Sequence, residues 1–130
     1  DKQTVLKFAN ALYDTRQFVQ ASTMYQRYLA LEPADVNARV DLGVTYFELS
    51  RLDSIKHHEY LTLAEKEMKE ALNYNPSHQF ATFNLGIVYL HVGKMEEASE
   101  WFKKCIAIDS TSETGRKAQM LIQQHTFNNP

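Results

Sequence analysis

One pattern of small and large residues occurs three times in this chain, and that repetition restricts the fold more than any other feature. In each copy a small residue is followed by an alanine, then by a large residue four positions on, and by a chain-stopping residue twelve positions on. The small residues are Ala9, Gly43 and Gly86; the alanines are Ala21, Ala64 and Ala98; the large residues are Tyr25, Met68 and Phe102; the stops are Pro33, Pro76 and Ser110. Repeats of this kind predict helices stacked into a solenoid, an architecture that usually offers a binding surface.

The pattern resembles the tetratricopeptide repeat family, whose signature is Trp-x2-Leu-Gly-x2-Tyr, then Ala-x3-Phe, then Pro, over about 34 residues. The second and third copies carry the signature residues Leu42, Gly43, Tyr46, Ala64, Met68 and Pro76, and Leu85, Gly86, Tyr89, Ala98, Phe102 and Ser110. The first copy is weaker, with Phe8, Ala9, Leu12, Ala21, Tyr25 and Pro33, and no copy has the tryptophan. The resemblance spans roughly residues 2–112 and is specific for a fold rather than for one function.

The resemblance implies an all-α fold, a right-handed α-solenoid of three helix-turn-helix repeats plus a C-terminal capping helix. We expect a single domain over residues 1–130, with the following parts: repeats at 2–35, 36–78 and 79–112, and a capping helix at 112–124. The predicted helices are 3–15, 18–31, 36–49, 60–74, 78–92, 95–108 and 112–124. Ser77 and Ser110 are the predicted N-caps of the fifth and seventh helices, since serine accepts hydrogen bonds from the first turn.

The second repeat carries a nine-residue insert at about 55–63, because Ala64 lies twenty-one residues after Gly43 where the other copies have twelve. The insert has no Gly or Pro and could extend the second helix or form an ordered loop. Because the pattern continues on both sides of it, we expect folding not to require it. His57 and His58 do not predict a metal site, since adjacent residues do not share a helical face.

Composition excludes several classes of function. The formal net charge is -2 and the 14 basic residues are dispersed, which argues against a nucleic-acid surface. No apolar run approaches the ~20 residues of a membrane span. No set of residues typical of a catalytic, cofactor or metal site stands out, so we predict no enzyme, and Cys105 is interpreted as a buried packing residue. The chain begins at Asp1 without an initiator Met, which leaves open whether it is part of a longer protein. The cytoplasm is favoured, and an extracytoplasmic location with an upstream anchor stays open.

The resemblance also implies that the first helix of each pair lines a concave groove. The predicted partner-binding residues on those helices are Asn10, Tyr13, Asn37, Asp41, Val44, Phe47, Phe80, Phe83, Asn84, Ile87 and Leu90. Asp14, Val40, Glu48 and His91 are expected on the same side. The fifth helix has a second apolar stripe beside its core face, and a helix apolar on both faces is usually covered on both. The cover could be the final helix, a second copy of the chain or a partner segment.

One subgroup of the family grips the C-terminal carboxylate of heat-shock chaperones with Lys, Asn and Arg. Here Asn10 alone fits that clamp, and its other positions hold Leu6, Asp41, Phe80 and Asn84. Apolar residues and an acid cannot hold a carboxylate, so we reject the co-chaperone interpretation. The favoured function is a protein-interaction scaffold that binds a peptide or helix of a partner protein in the groove. The alternative is a structural module that self-assembles into homo-oligomers.

Overall fold

The computed structural model describes residues 1–127, with side chains as far as His125. This part of the chain contains seven α-helices and no strand: α1 (Lys2–Asp14), α2 (Phe18–Leu31), α3 (Val36–Leu52), α4 (His57–Tyr74), α5 (Gln79–Val92), α6 (Met95–Ile108) and α7 (Glu113–Phe127). The all-α prediction is confirmed, and α2 and α6 have the predicted boundaries. None of these helices combines the length and the apolarity that crossing a bilayer requires.

The helices belong to two compact units. The first comprises Asp1–Asn75 and the second begins at Pro76. In the first unit α1 packs on α2, α2 on α3, and α3 on α4. In the second unit α5 packs on α6, and α7 packs on both. Each unit therefore contains helix pairs with their own buried interior.

Small residues let the paired helices approach closely, as the repeated pattern predicts. A Cβ on Gly43 would lie 3.0 Å from Met68 Cγ, and a Cβ on Gly86 would lie 2.5 Å from Phe102 Cε1. The alanines at the crossings, Ala21, Ala64 and Ala98, are at most 1% exposed. Cys105 is fully buried, which confirms that it packs in the core.

The inserted segment is mostly helical and lengthens the start of α4, and α3 is also longer than predicted. α3 continues to Leu52, three residues past the predicted end, and α4 begins at His57, so that 57–63 lie in its first turns. Leu61 is 1% exposed, and the Tyr46 and Tyr60 rings stack at 6.3 Å. The insert thus contributes to the core, which argues against the expectation that folding does not require it.

The helix caps correct two expectations from the sequence. His78, rather than Ser77, caps α5, since its Nδ1 accepts a hydrogen bond from Ala81 N at 3.1 Å. Ser112, rather than Ser110, caps α7, since its Oγ accepts from Gly115 N at 2.9 Å. Capping is a local choice among neighbouring polar residues, so the sequence places it only to within a residue or two.

The side chain of Gln79 hydrogen bonds to both the end of α6 and the start of α7. Gln79 Nε2 donates to Asp109 O at 2.7 Å and to Cys105 O at 3.0 Å, and its Oε1 accepts from Ser112 Oγ at 2.9 Å. The corner is tight, because a Cβ on Gly115 would lie 2.0 Å from Asp109 O. This network anchors the capping helix within the second unit.

Candidate functional site

All the predicted partner-binding residues lie at least partly exposed, on the side of their helices that the repeat core leaves open. Asn10, Asn37 and Phe80 are exposed, and the half-buried ones are Tyr13, Asp41, Val44, Phe47, Phe83, Asn84, Ile87 and Leu90. Val40, which was expected on that side, is 1% exposed and belongs to the core. Apart from Val40, the residues expected on the open side are thus at least partly exposed, whereas binding by them stays a prediction.

In the first unit we define the α1–α3 face as Asn10, Tyr13, Asn37, Asp41, Val44 and Phe47. Asn10 Oδ1 accepts a hydrogen bond from the Tyr25 hydroxyl at 2.6 Å. The Tyr13 ring packs edge-on against Phe18, with their centroids 5.3 Å apart. Both α1 side chains are thus held in place from α2 before any partner arrives.

Negative charge surrounds the tyrosines of this face. Burial raises the pKa of Tyr13, and the carboxylates of Glu48, Asp41 and Asp14 raise it further, opposed by Arg16. Burial likewise raises the pKa of Tyr25, again with Asp41 and Asp14 contributing. The carboxylates of Glu48, Asp41 and Asp14 thus all favour the protonated form of one phenol on the α1–α3 face.

Asp41 is half-buried, whereas Asp14 is exposed and Glu48 pairs with Arg51. Burial, and then the charge of Asp35, raises the pKa of its carboxyl group from 3.8 to about 6. Its backbone carbonyl accepts from Thr45 Oγ1, but its carboxylate has neither a hydrogen bond nor an ion pair within residues 1–127. A half-buried carboxylate without such partners is costly to keep charged and is a candidate for a functional group.

In the second unit we define the α5 face as Phe80, Phe83, Asn84, Ile87 and Leu90. Phe80 is 45% exposed, whereas the Phe83 ring lies 5.7 Å from the core ring of Phe102. Asn84 Nδ2 donates to Phe80 O at 2.8 Å, so the amide hydrogen bonds back to its own helix. Within the α5 face, Phe80 is thus exposed to solvent, whereas Phe83 packs against the core.

The final helix covers one end of the apolar stripe on α5. Leu90 shares a small pocket with Leu121 and Ile122 of α7. Phe83 lies at a second pocket that Met120 and Leu121 border. The final helix of the chain therefore covers the apolar stripe near Leu90. Phe80, at the other end of the stripe, borders neither of these pockets.

The histidines of the insert are held by ordinary contacts. His57 Nδ1 lies 2.9 Å from Ser50 O, and the His57 and His58 rings meet edge-on at 5.2 Å. Within the described residues no group of three or more His, Cys, Asp or Glu side chains could hold a metal ion.

Sequence reasoning left three residues that act on the α1–α3 face out of the predicted binding set: Tyr25, Asp14 and Glu48. Tyr25 counted as a core residue, yet its hydroxyl reaches Asn10 at the surface. Asp14 and Glu48 were placed on the correct side, but not among the binding residues. The available signal was the spacing of Asp41, Val44 and Glu48, which puts both acids and the apolar residue on one stripe of α3.

Comparisons with known proteins agree with this architecture. Residues 6–54 and 81–112 match two family models, each described as a tetratricopeptide repeat. The human Tetratricopeptide repeat protein 6 is 30% identical over 82 residues, which cover 61% of this chain and 15% of that protein. The Protein O-mannosyl-transferase F38B6.6 of Caenorhabditis elegans is 28% identical over 72 residues, covering 55% of this chain and 10% of the relative. The chain matches only a small part of either relative.

Solved structures resemble the chain along nearly its whole length. PcrH, in complex with the chaperone binding region of PopD, aligns with a TM-score of 0.85 at 13% identity, covering 98% of this chain and 92% of PcrH. The first tetratricopeptide domain of Spaghetti (RPAP3), bound to the HSP90 peptide SRMEEVD, aligns with a TM-score of 0.80 at 16% identity, covering 96% and 92%. At such identities the likeness shows the fold alone.

Proposed function

Because this chain belongs to the tetratricopeptide repeat family, we propose that it is a protein-interaction scaffold and not itself an enzyme. It binds a peptide or helix of a partner protein, and each unit contributes its own contact face. Two structural neighbours bound to a peptide or a partner segment support the proposal. The transferase of C. elegans does not argue for catalysis here, because the match covers 10% of that protein.

The observation that carries the proposal is the apolar surface left open on α3 and α5. Val44 and Phe47 are half-buried on the first unit, and Phe80 is 45% exposed on the second. Apolar side chains at helical spacing are typical anchors for a peptide laid along a helical surface. Tyr13, Phe83, Ile87 and Leu90 extend the two apolar surfaces.

Polar groups on the same faces would fix the register of the peptide. The Nδ2 hydrogens of Asn10 remain available, because Tyr25 uses only Oδ1. On Asn84 it is Oδ1 that remains available, because Nδ2 bonds to Phe80 O. Asn37 and Asp41 complete the set of side chains that would hydrogen-bond a peptide backbone or its polar groups.

Selection from a displayed library of random twelve-residue peptides tests the proposal. The full chain is the bait, and Val44→Ala and Phe80→Ala each truncate one face. Leu31→Ala and Ile108→Ala are matched controls, since Leu31 is 61% and Ile108 37% exposed at the ends of α2 and α6. We expect enriched peptides that lose affinity in a face variant and keep it in both controls. Enrichment that is indifferent to both face variants would refute the proposal.

The acidic peptide SRMEEVD serves as a negative probe. The chain has Asp41 and Phe80 where a carboxylate clamp requires polar or basic side chains, and an unpaired acid repels a C-terminal carboxylate. We therefore expect no saturable binding of that peptide. Saturable binding that Asp41→Asn strengthens would show that the peptide occupies the predicted face in spite of the charge.

Self-association remains the second candidate because the second unit exposes several large apolar side chains. Phe80 is 45% exposed and Met120 of α7 is 57% exposed. Apolar surface of this kind is often buried between copies of a chain. Light scattering over a hundredfold range of concentration distinguishes the two functions, since a homo-oligomer changes mass and Phe80→Ala should return it to the monomer.

A further inference from the structure

The α1–α3 face combines apolar and acidic side chains along one stripe of α3. Asp41, Val44 and Glu48 follow one another at three- and four-residue spacing, so all three point to the same side of the helix. Tyr13 and Asp14 add a ring and a third carboxylate from the end of α1. The stripe is thus apolar at its centre, with acids on either side.

The nearby cations do not neutralise Asp41. Arg51 pairs with Glu48 at 3.7 Å and is 59% exposed, and the Arg16 guanidinium lies 5.3 Å from the centre of the Phe18 ring. The Asp41 carboxylate has no ion pair and no hydrogen bond within the described residues. The face therefore presents negative charge that its own side chains leave uncompensated at Asp41.

Resting on the function proposed above, we infer that the α1–α3 face binds a basic segment of the partner. A lysine or arginine of that segment pairs with Asp41, and a neighbouring apolar side chain packs on Val44 and Tyr13. Arginine suits the site best, since its planar guanidinium can bind one carboxylate through two hydrogen bonds.

Other charged ligands fit this face less well. An acidic peptide meets like charges at Asp14, Asp41 and Glu48. A divalent cation needs several converging oxygen ligands. No group of three potential ligands converges within residues 1–127. A basic peptide satisfies both the charge of Asp41 and the apolar surface of Val44.

The peptides selected on the full chain at pH 7.5 give the first test. We expect the sequences that depend on Val44 to share a lysine or arginine next to an apolar residue. If Val44-dependent peptides are neutral or acidic, this inference fails while the scaffold function stands. If no enriched peptide depends on either face, the scaffold function fails and this inference fails with it.

The charge of Asp41 is tested by Asp41→Asn, with Glu100→Gln as the matched control. Both changes remove one negative charge, and Glu100 is an exposed residue of α6 in the other unit. Fluorescence anisotropy with the best selected peptide should show binding weaker by about tenfold or more in Asp41→Asn and unchanged in Glu100→Gln. Circular dichroism confirms that both variants are folded. Affinity of Asp41→Asn within twofold of wild type would overturn the inference.

The pH dependence of binding gives an independent readout. The Asp41 carboxyl group, with a pKa of about 6 in the free chain, loses its charge as the pH falls from 7.5 to 5. The partner's lysine or arginine stays protonated throughout, so the wild type should bind more weakly at pH 5. Among the described residues, the other titratable groups that act on the face are Asp14, Asp35, Glu48 and the phenols of Tyr13 and Tyr25. The cations beside it are Arg16 and Arg51. All are present in Asp41→Asn, so an equally steep profile in that variant would contradict the role of Asp41.

Discussion

The Phe102 ring occupies the space that a Cβ on Gly86 would fill, with Cε1 2.5 Å, Cδ1 2.6 Å and Cζ 2.9 Å from that position. The equivalent contact in the second repeat is looser, since a Cβ on Gly43 would meet Met68 Cγ at 3.0 Å and Cε at 3.1 Å. Methionine is unbranched and can rotate away, whereas an aromatic ring in a packed core cannot. Gly43 and Gly86 occupy equivalent positions in the repeated pattern, yet they should differ in how well they tolerate a larger side chain.

Gly86→Ala and Gly43→Ala should therefore have different effects. In Gly86→Ala the clash with Phe102 is expected to lower the free energy of unfolding by about 1–3 kcal/mol. In Gly43→Ala the movement of Met68 should be largely offset by the gain of up to about 1 kcal/mol in helix propensity. Urea unfolding of both variants measures the difference. Equal stability of the two would contradict the packing described here.

The insert is expected to be part of the cooperative fold. Leu61→Ala removes a side chain that is 1% exposed and should cost about 2–4 kcal/mol. Ile55→Ala is the control, because Ile55 lies in the same insert but is 93% exposed. Its effect should stay within about 0.5 kcal/mol. A Leu61→Ala variant as stable as Ile55→Ala would mean that the start of α4 packs too weakly to matter.

The repeated pattern was sufficient to predict the helices, because Gly, Ala and the large residues report directly on close crossings. The pattern did not predict the structure of the insert, because the other two copies have no residues that correspond to it. Leu61 is nevertheless buried, and α3 runs to Leu52, beyond its predicted end. The caps depended on which of two neighbouring residues reached the first turn.

The candidate faces were predictable as faces, but their electrostatics were not. Helical periodicity places Asp41 beside Val44, yet nothing in the order of residues shows that Asp41 lacks a partner. Val40 was assigned to the open side and is buried instead, with 1% of its surface exposed. The burial of a side chain and the charges around it depend on the three-dimensional structure. They determine which polar residue of a face has a shifted pKa and lacks a partner.

A strained turn links α1 and α2. Arg16 has φ of 62°, in the left-handed region that costs a residue with a Cβ about 1–2 kcal/mol relative to glycine. Arg16→Gly relieves that strain, and Arg16→Ala keeps it while losing the same contact with the Phe18 ring. We expect the glycine variant to be more stable than the alanine variant by about 1 kcal/mol, as measured by thermal unfolding. The reverse order would contradict the turn geometry.

The cap at His78 makes stability depend on pH. Nδ1 accepts a hydrogen bond from Ala81 N, and burial lowers the pKa of this histidine below its usual 6.5. The contribution of the neutral His78 cap to the free energy of unfolding is therefore complete above pH 6.5 and is lost as the pH falls and the imidazole is protonated. The loss should reach about 0.5–1 kcal/mol, as for other N-caps.

His78→Asn is the matched variant for that test, because asparagine caps helices at any pH. The difference in the free energy of unfolding between wild type and His78→Asn should therefore grow in favour of the variant as the pH falls from 7.5 to 5. A difference that does not change over this range would show that the imidazole is not the cap.

Asp41 should reduce the stability of the free chain at neutral pH. Its pKa is raised from 3.8 to about 6, mainly by burial, so folding is more favourable when the carboxyl group is protonated. The stabilising effect of that proton is complete below pH 3.8 and is lost as the pH rises through about 6. Asp41→Asn keeps the shape without the charge and should raise the free energy of unfolding at pH 7.5 by about 1–2 kcal/mol after allowance for solvent screening. The gain should disappear near pH 4, and Glu100→Gln should show no gain at either pH.

A stabilised variant that also loses the basic peptide would show that this acid is kept for binding at the expense of stability. If Asp41→Asn is no more stable than wild type at pH 7.5, the carboxylate is better solvated than its burial indicates.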